Sequence, residues 1–93
     1  MAKSSYEIFR EITIINELGL HARAAAKIAA LAQKAESKIW LLKNEQKADA
    51  SSILDVLTLE CPKGTKIMVS ADENSDIEIL DSIVKLVQRG FEE

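Results

Sequence analysis

The chain has 93 residues, 47% of them apolar, with one cysteine, one histidine and a formal charge of −3 from 15 acidic and 12 basic side chains. That length supplies one domain (1–93, residues 1–10 partly an N-terminal extension) with a single core, and the lone cysteine and histidine exclude an intramolecular disulfide and a structural zinc site, so no metal is expected. The acidic balance disfavours nucleic acid, and the absence of a membrane-length apolar run or a signal-like stretch after Met1 points to a cytoplasmic protein.

From Tyr6 to Ile15 the β-branched and aromatic residues alternate, with Ile8, Arg10, Ile12 and Ile14 on one face and Glu7, Phe9, Glu11 and Thr13 on the other. This predicts a first strand. Asn16-Glu17-Leu18-Gly19 reads as a loop. From His21 an alanine-rich helix places Ala25, Ile28, Ala29, Ala32 and Ala35 on a thin inner face, able to lie close to a sheet, while Arg23, Lys27 and Lys34 recur on another face. Strands are expected at residues 38–42 and about 46–50, joined by Asn44-Glu45. Ser52-Ile53-Leu54-Asp55 matches a capping box opening a short helix to about Leu59. After the turn Cys61-Pro62-Lys63-Gly64, a fourth strand is expected over residues 65–71. Ser75-Asp76-Ile77-Glu78 matches a second capping box, and Leu80, Ile83, Val84 and Val87 keep one apolar stripe up to Gly90, with Lys85 and Arg89 near the negative end of the helix. The order β-α-β-β-α-β-α predicts an α+β, two-layer open-faced sandwich: an antiparallel four-stranded sheet with three helices on one face.

The only histidine stands at a loop-to-helix junction, Leu18-Gly19-Leu20-His21-Ala22-Arg23. First-turn amides have no helical acceptor and carry the positive end of the helix dipole, so the N–H groups of Ala22, Arg23 and Ala24 suit an anion. Gly19 lets the loop bend towards them. Neutral imidazole is a nucleophile near neutral pH, and the Arg23 guanidinium would pair with phosphoryl oxygens. On spacing alone, a histidine that merely opens the helix, capping it or lying in water, is the commoner outcome. An enzyme using His21 as general acid or base would need more convergent polar groups than this stretch supplies.

The segments from Leu18 to Ala26, from Ser52 to Leu59 and Lys63-Gly64-Thr65 together resemble the histidine-containing phosphocarrier protein HPr of the bacterial sugar phosphotransferase system. The resemblance runs from about Glu11 to Val87. It implies a carrier without cofactor, in which Nδ1 of His21 becomes a pros-phosphohistidine, Arg23 is the active-site arginine, and the donor and acceptors are Enzyme I and sugar-specific IIA components. Ser52 matches the serine that HPr kinase/phosphorylase modifies in some bacteria, and Leu18, Lys27, Leu54 and Asp55 fall on the partner-facing surface. A regulatory member of the family, whose phosphorylation state is read rather than spent on transport, is the competing reading. Three residues depart from the family pattern: Ala24 where proline is usual, Asp55 where a small or basic residue is usual, and Glu60 where glycine is usual. If Ile39 and Leu41 face the helices, as the resemblance implies, Trp40, Leu42 and Met68 lie on the open face, to be covered by Tyr6 and Phe9 or by a second copy, giving a monomer or weak homodimer.

Overall fold

The computed structural model describes residues 8–92. Four strands, β1 (Phe9–Thr13), β2 (Ile39–Lys43), β3 (Gln46–Asp49) and β4 (Lys66–Ala71), form one antiparallel sheet in the order β1-β4-β2-β3. Three helices, α1 (Ala22–Ala32), α2 (Ile53–Leu57) and α3 (Ile77–Gln88), complete the expected two-layer fold. Tyr6 and Glu7, expected to open the first strand, lie outside the described residues, as does most of the expected N-terminal extension.

Alternation builds the sheet's buried face. Ile67, Val69 and Ala71 of β4 are buried while Lys66 and Met68 are exposed, and Ile39 and Leu41 of β2 point inward with them. Against this face pack Ala25 and Ile28 of α1 and Leu80, Ile83 and Val87 of α3. Alanines at positions 24, 25, 29 and 32 keep the inner surface of α1 shallow, so its backbone comes close to the core. Phe91, which follows the last helix and was not anticipated as core, is fully buried.

The open face carries the aromatic and apolar residues that alternation assigns to it. Met68 and Phe9 are exposed, and Trp40 and Leu42 are half-buried. Trp40 is not left bare: the Lys47 ammonium sits 4.1 Å from the ring centre, and the indole N–H donates to Asp72 Oδ1 at 3.1 Å. A cation over the ring face and a satisfied indole N–H make a tryptophan compatible with a wet surface.

The second capping box does not form. Helix α3 is preceded by a single 3₁₀ turn over Asn74–Asp76, its N-cap is Asp76 rather than Ser75, and no side chain caps it. The Asp76 carboxylate, 1% exposed, instead accepts the backbone N–H groups of Glu36 and Ser37, both at 2.8 Å. Two amide donors in the turn before β2 satisfy a buried carboxylate better than one local cap, and the bridge ties that turn to the start of α3. Asp76→Ala is expected to cost about 3 kcal/mol in urea unfolding, because two charge-assisted hydrogen bonds disappear and two amides lose their acceptor.

Candidate functional site

Because β4 lies between β1 and β2, the loop leaving β1 runs beside the loop entering β4. The two continue the β1/β4 ladder past its end: Ile14 N–H donates to Thr65 O at 2.9 Å, Gly64 N–H to Ile14 O at 2.7 Å, and Leu20 N–H to Cys61 O at 2.8 Å. Between these anchors the chain folds into a tight turn. Gly19 N–H donates to Asn16 O, and the buried Asn16 side chain donates through Nδ2 to Gly19 O at 2.8 Å. Gly19 has φ +68°, and a Cβ there would lie 2.6 Å from Cys61 O and 2.9 Å from Pro62 Cα. Both the conformation and the close approach therefore require glycine.

The turn delivers His21 in an extended conformation, φ −88° and ψ −178°, as the N-cap of α1. Its carbonyl accepts Ala25 N–H, and its ring nitrogen Nδ1 accepts Arg23 N–H at 3.2 Å. An Nδ1 that accepts carries the lone pair, so the neutral ring holds its proton on Nε2. The helix thus aims a nucleophilic nitrogen at its own first-turn amides. His21 is half-buried, while the Ala22 and Arg23 side chains are exposed; Ala24 packs its methyl group wholly into the core, leaving its N–H in the first turn.

The other expected site residues divide by what holds them. Leu18, 66% exposed on the incoming turn, and Leu54, 78% exposed on α2, offer apolar surface, joined by Ile15 and Ile53. Lys27 is drawn back, its ammonium donating to Phe91 O at 2.7 Å. Lys34, placed by spacing on the same helix face, lies beyond the end of α1. Ser52 is the N-cap of α2, its hydroxyl accepting Asp55 N–H at 3.2 Å. The reciprocal arm of that box is directed elsewhere: the Asp55 carboxylate accepts Asp49 N–H at 2.7 Å, at the end of β3, because that edge amide needs an acceptor.

Two supporting groups escaped sequence reading. Asn16 sits in the loop after β1, and its only signal is a glycine three positions on. Lys43 donates to both Leu59 O and Glu60 O, at 2.8 and 2.7 Å, clamping the end of α2 immediately before the Cys61 carbonyl that holds Leu20. Among the described residues no cluster of His, Cys, Asp and Glu is placed to hold a metal ion, and no helix is long and apolar enough to cross a membrane.

Comparison with known proteins agrees with this geometry. A family model, the PTS HPr component phosphorylation site, matches residues 8–89. Phosphocarrier protein NPr of Shewanella violacea is 42% identical over 84 residues, covering 90% of this chain and 92% of that protein. Phosphocarrier protein HPr of Cupriavidus necator is 37% identical over 84 residues, covering 90% and 94%. The crystal structure of HPr-C-His from Thermoanaerobacter tengcongensis aligns with a TM-score of 0.85 at 34% identity, over 91% of this chain and 96% of that one.

Two expectations follow from the loops and caps around the site. Glu60 has φ +54°, a left-handed conformation that disfavours a side chain. Glu60→Gly is expected to raise stability by about 1 kcal/mol in denaturant unfolding, since the Lys43 clamp grips only main-chain oxygen there. The second concerns acid. The Lys38 hydrogen bond, then that of Ser51, lowers the Asp49 carboxyl from 3.8 to about 2. A carboxyl lowered by folding stabilises the fold above its unfolded pKa, and that contribution is lost as pH falls from 3.8 towards 2. The stability gap between the parent and Asp49→Asn should therefore be widest above pH 4 and shrink between about pH 4 and 2, as read by urea unfolding at stepped pH.

Proposed function

The chain belongs to the HPr family of phosphocarrier proteins, and on that footing we propose that His21 accepts a phosphoryl group from phosphorylated Enzyme I and passes it to a sugar-specific IIA component. One observation carries this assignment: Nδ1 of His21 bears a lone pair and faces the Arg23 amide at the start of α1.

The step balances simply. The Nδ1 lone pair forms a bond to phosphorus while the bond from phosphorus to its donor atom on Enzyme I breaks, its electron pair leaving with the donor. Transfer to the acceptor repeats this displacement with His21 as the leaving group. Such transfers need positioning and charge stabilisation more than further reacting groups. Here the fixed turn supplies the positioning. The amides of Ala22, Arg23 and Ala24 and the helix dipole stabilise the incoming oxygens, and the exposed Arg23 guanidinium closes over them. The exposed Leu18 and Leu54 suit a protein partner that must reach the ring, while Lys27 and Asp55, also expected on that surface, hold Phe91 O and Asp49 N–H in the unbound chain.

The regulatory alternative shares this chemistry and differs in its readers. It is favoured by the 42% identity to a relative named NPr rather than HPr, and by the acidic Asp55 and Glu60 at α2 and its exit. Ser52, a candidate for regulatory phosphorylation, serves α2 as its cap in the unmodified chain.

Incubation with phosphoenolpyruvate and Enzyme I tests the assignment. An acid-labile phosphoryl group is expected on the parent and none on His21→Ala; a label retained by that variant would falsify it. Arg23→Ala should keep the parent's thermal unfolding but slow transfer about tenfold or more, and an unchanged rate would remove arginine from the mechanism.

A further inference from the structure

Away from His21, helices α1 and α3 run side by side and leave an open cleft of about 470 Å³ between them. Its walls come from positions 27, 30, 31 and 34 on one side and 82, 85, 86 and 89 on the other. Each set has the spacing i, i+3, i+4, i+7; its first three members share one helix face, and Lys34 and Arg89 extend the two walls just past the ends of α1 and α3. Leu31 and Leu86 form the floor, half-buried and packed on the core cluster. Small residues, Ala30 and Ser82, leave the middle of the cleft low.

Its charge is opposite to that of the chain. Among the described residues Lys27, Lys34, Lys85 and Arg89 line it, against the carboxylate of Glu92, on a protein whose formal charge is −3. Glu92 lies 3.8 Å from Arg89, and Lys27 is bonded to a neutral carbonyl, so most of the positive charge is not neutralised by the lining. We propose that this groove docks an acidic amphipathic helix of a partner protein. Two facing helical ridges with a low apolar floor accept the ridge of a third helix. The flanking cations select one whose leucine-type ridge is bordered by Asp and Glu. The groove starts six residues beyond His21, about 9 Å along the helix axis. A partner seated there would leave the phosphoryl acceptor accessible.

The full chain, labelled with ¹⁵N, is titrated with a synthetic peptide of about four helical turns carrying leucine at i, i+4 and i+7 and glutamate on either side. A scrambled peptide of equal composition serves as control. Expected are shifts centred on Leu31 and Leu86, an affinity weakened at least tenfold by Lys34→Glu with Lys85→Glu, and a further loss with added salt. The same variant should accept phosphoryl groups on His21 at the parent rate, so failure of docking and failure of the carrier assignment read out separately. Should charge reversal disturb the fold, Lys34→Gln with Lys85→Gln is compared by thermal unfolding and titrated instead, with a smaller loss expected. Equal binding by parent and folded variant, equal binding of the scrambled peptide, or shifts centred on Leu18 and Leu54 overturns the proposal. So would matching shifts from inorganic phosphate alone, marking a small-anion site, or concentration-dependent sedimentation abolished by the variant, marking a second copy as the occupant.

Discussion

Everything at the helix entrance depends on one close approach, Gly19 against the Cys61 carbonyl and Pro62. The β1/β4 pairing brings the two loops into line, and the missing Cβ lets them touch. Once they touch, Leu20 is tethered through its amide and buried through its side chain, and the next residue has little freedom in where it starts the helix. The imidazole is carried to its position by the backbone of this turn, which the Asn16 side chain braces through Gly19 O. That is economical for a carrier, whose reactive group must stay open to successive partners. A pocket of positioning side chains would shield it.

The alanine face of α1 serves the same end from below. Small side chains at 24, 25, 29 and 32 seat the helix low on the sheet, and the first turn is fixed by Ala24 being wholly enclosed. A rigid first turn keeps its amides aligned without further support. Asp76 performs a comparable task at the opposite end, where its carboxylate joins the turn after α1 to the start of α3. The two ends of α1 are thus held by different devices: loop pairing at the reactive end, a buried carboxylate at the other.

How far the sequence could be read depended on whether a residue's partners were local. Alternation in residues 66–71 and helical spacing in residues 77–88 describe faces of single elements, and both appear in the structure. His21 stood out as the only histidine, at a glycine-containing junction. Asp76 fooled the same reasoning: Ser75 to Glu78 has the letters of a capping box, but the carboxylate is claimed by amides 40 and 39 residues away. Asp55 was misjudged for the same reason, its partner lying on the end of β3. Asn16, Lys43 and Phe91 act through main-chain carbonyls or burial outside any periodic segment, so no pattern in the letters announces them.

His21 is at once the proposed reactive group and the cap of α1, and this joins two quantities normally considered apart. Phosphorylation at Nδ1 would replace a ring acceptor with oxygens facing the same amides. Whatever extra free energy those amides give the phosphorylated helix must, around a closed thermodynamic cycle, be subtracted from the tendency of the folded chain to give the group away. A helix end that gripped the phosphoryl group too well would make a poor donor. The 3.2 Å contact from Arg23 N–H to Nδ1 is given up when that lone pair bonds phosphorus, so only the difference between the amides' hold on the phosphoryl oxygens and their hold on the bare ring is drawn from the transfer.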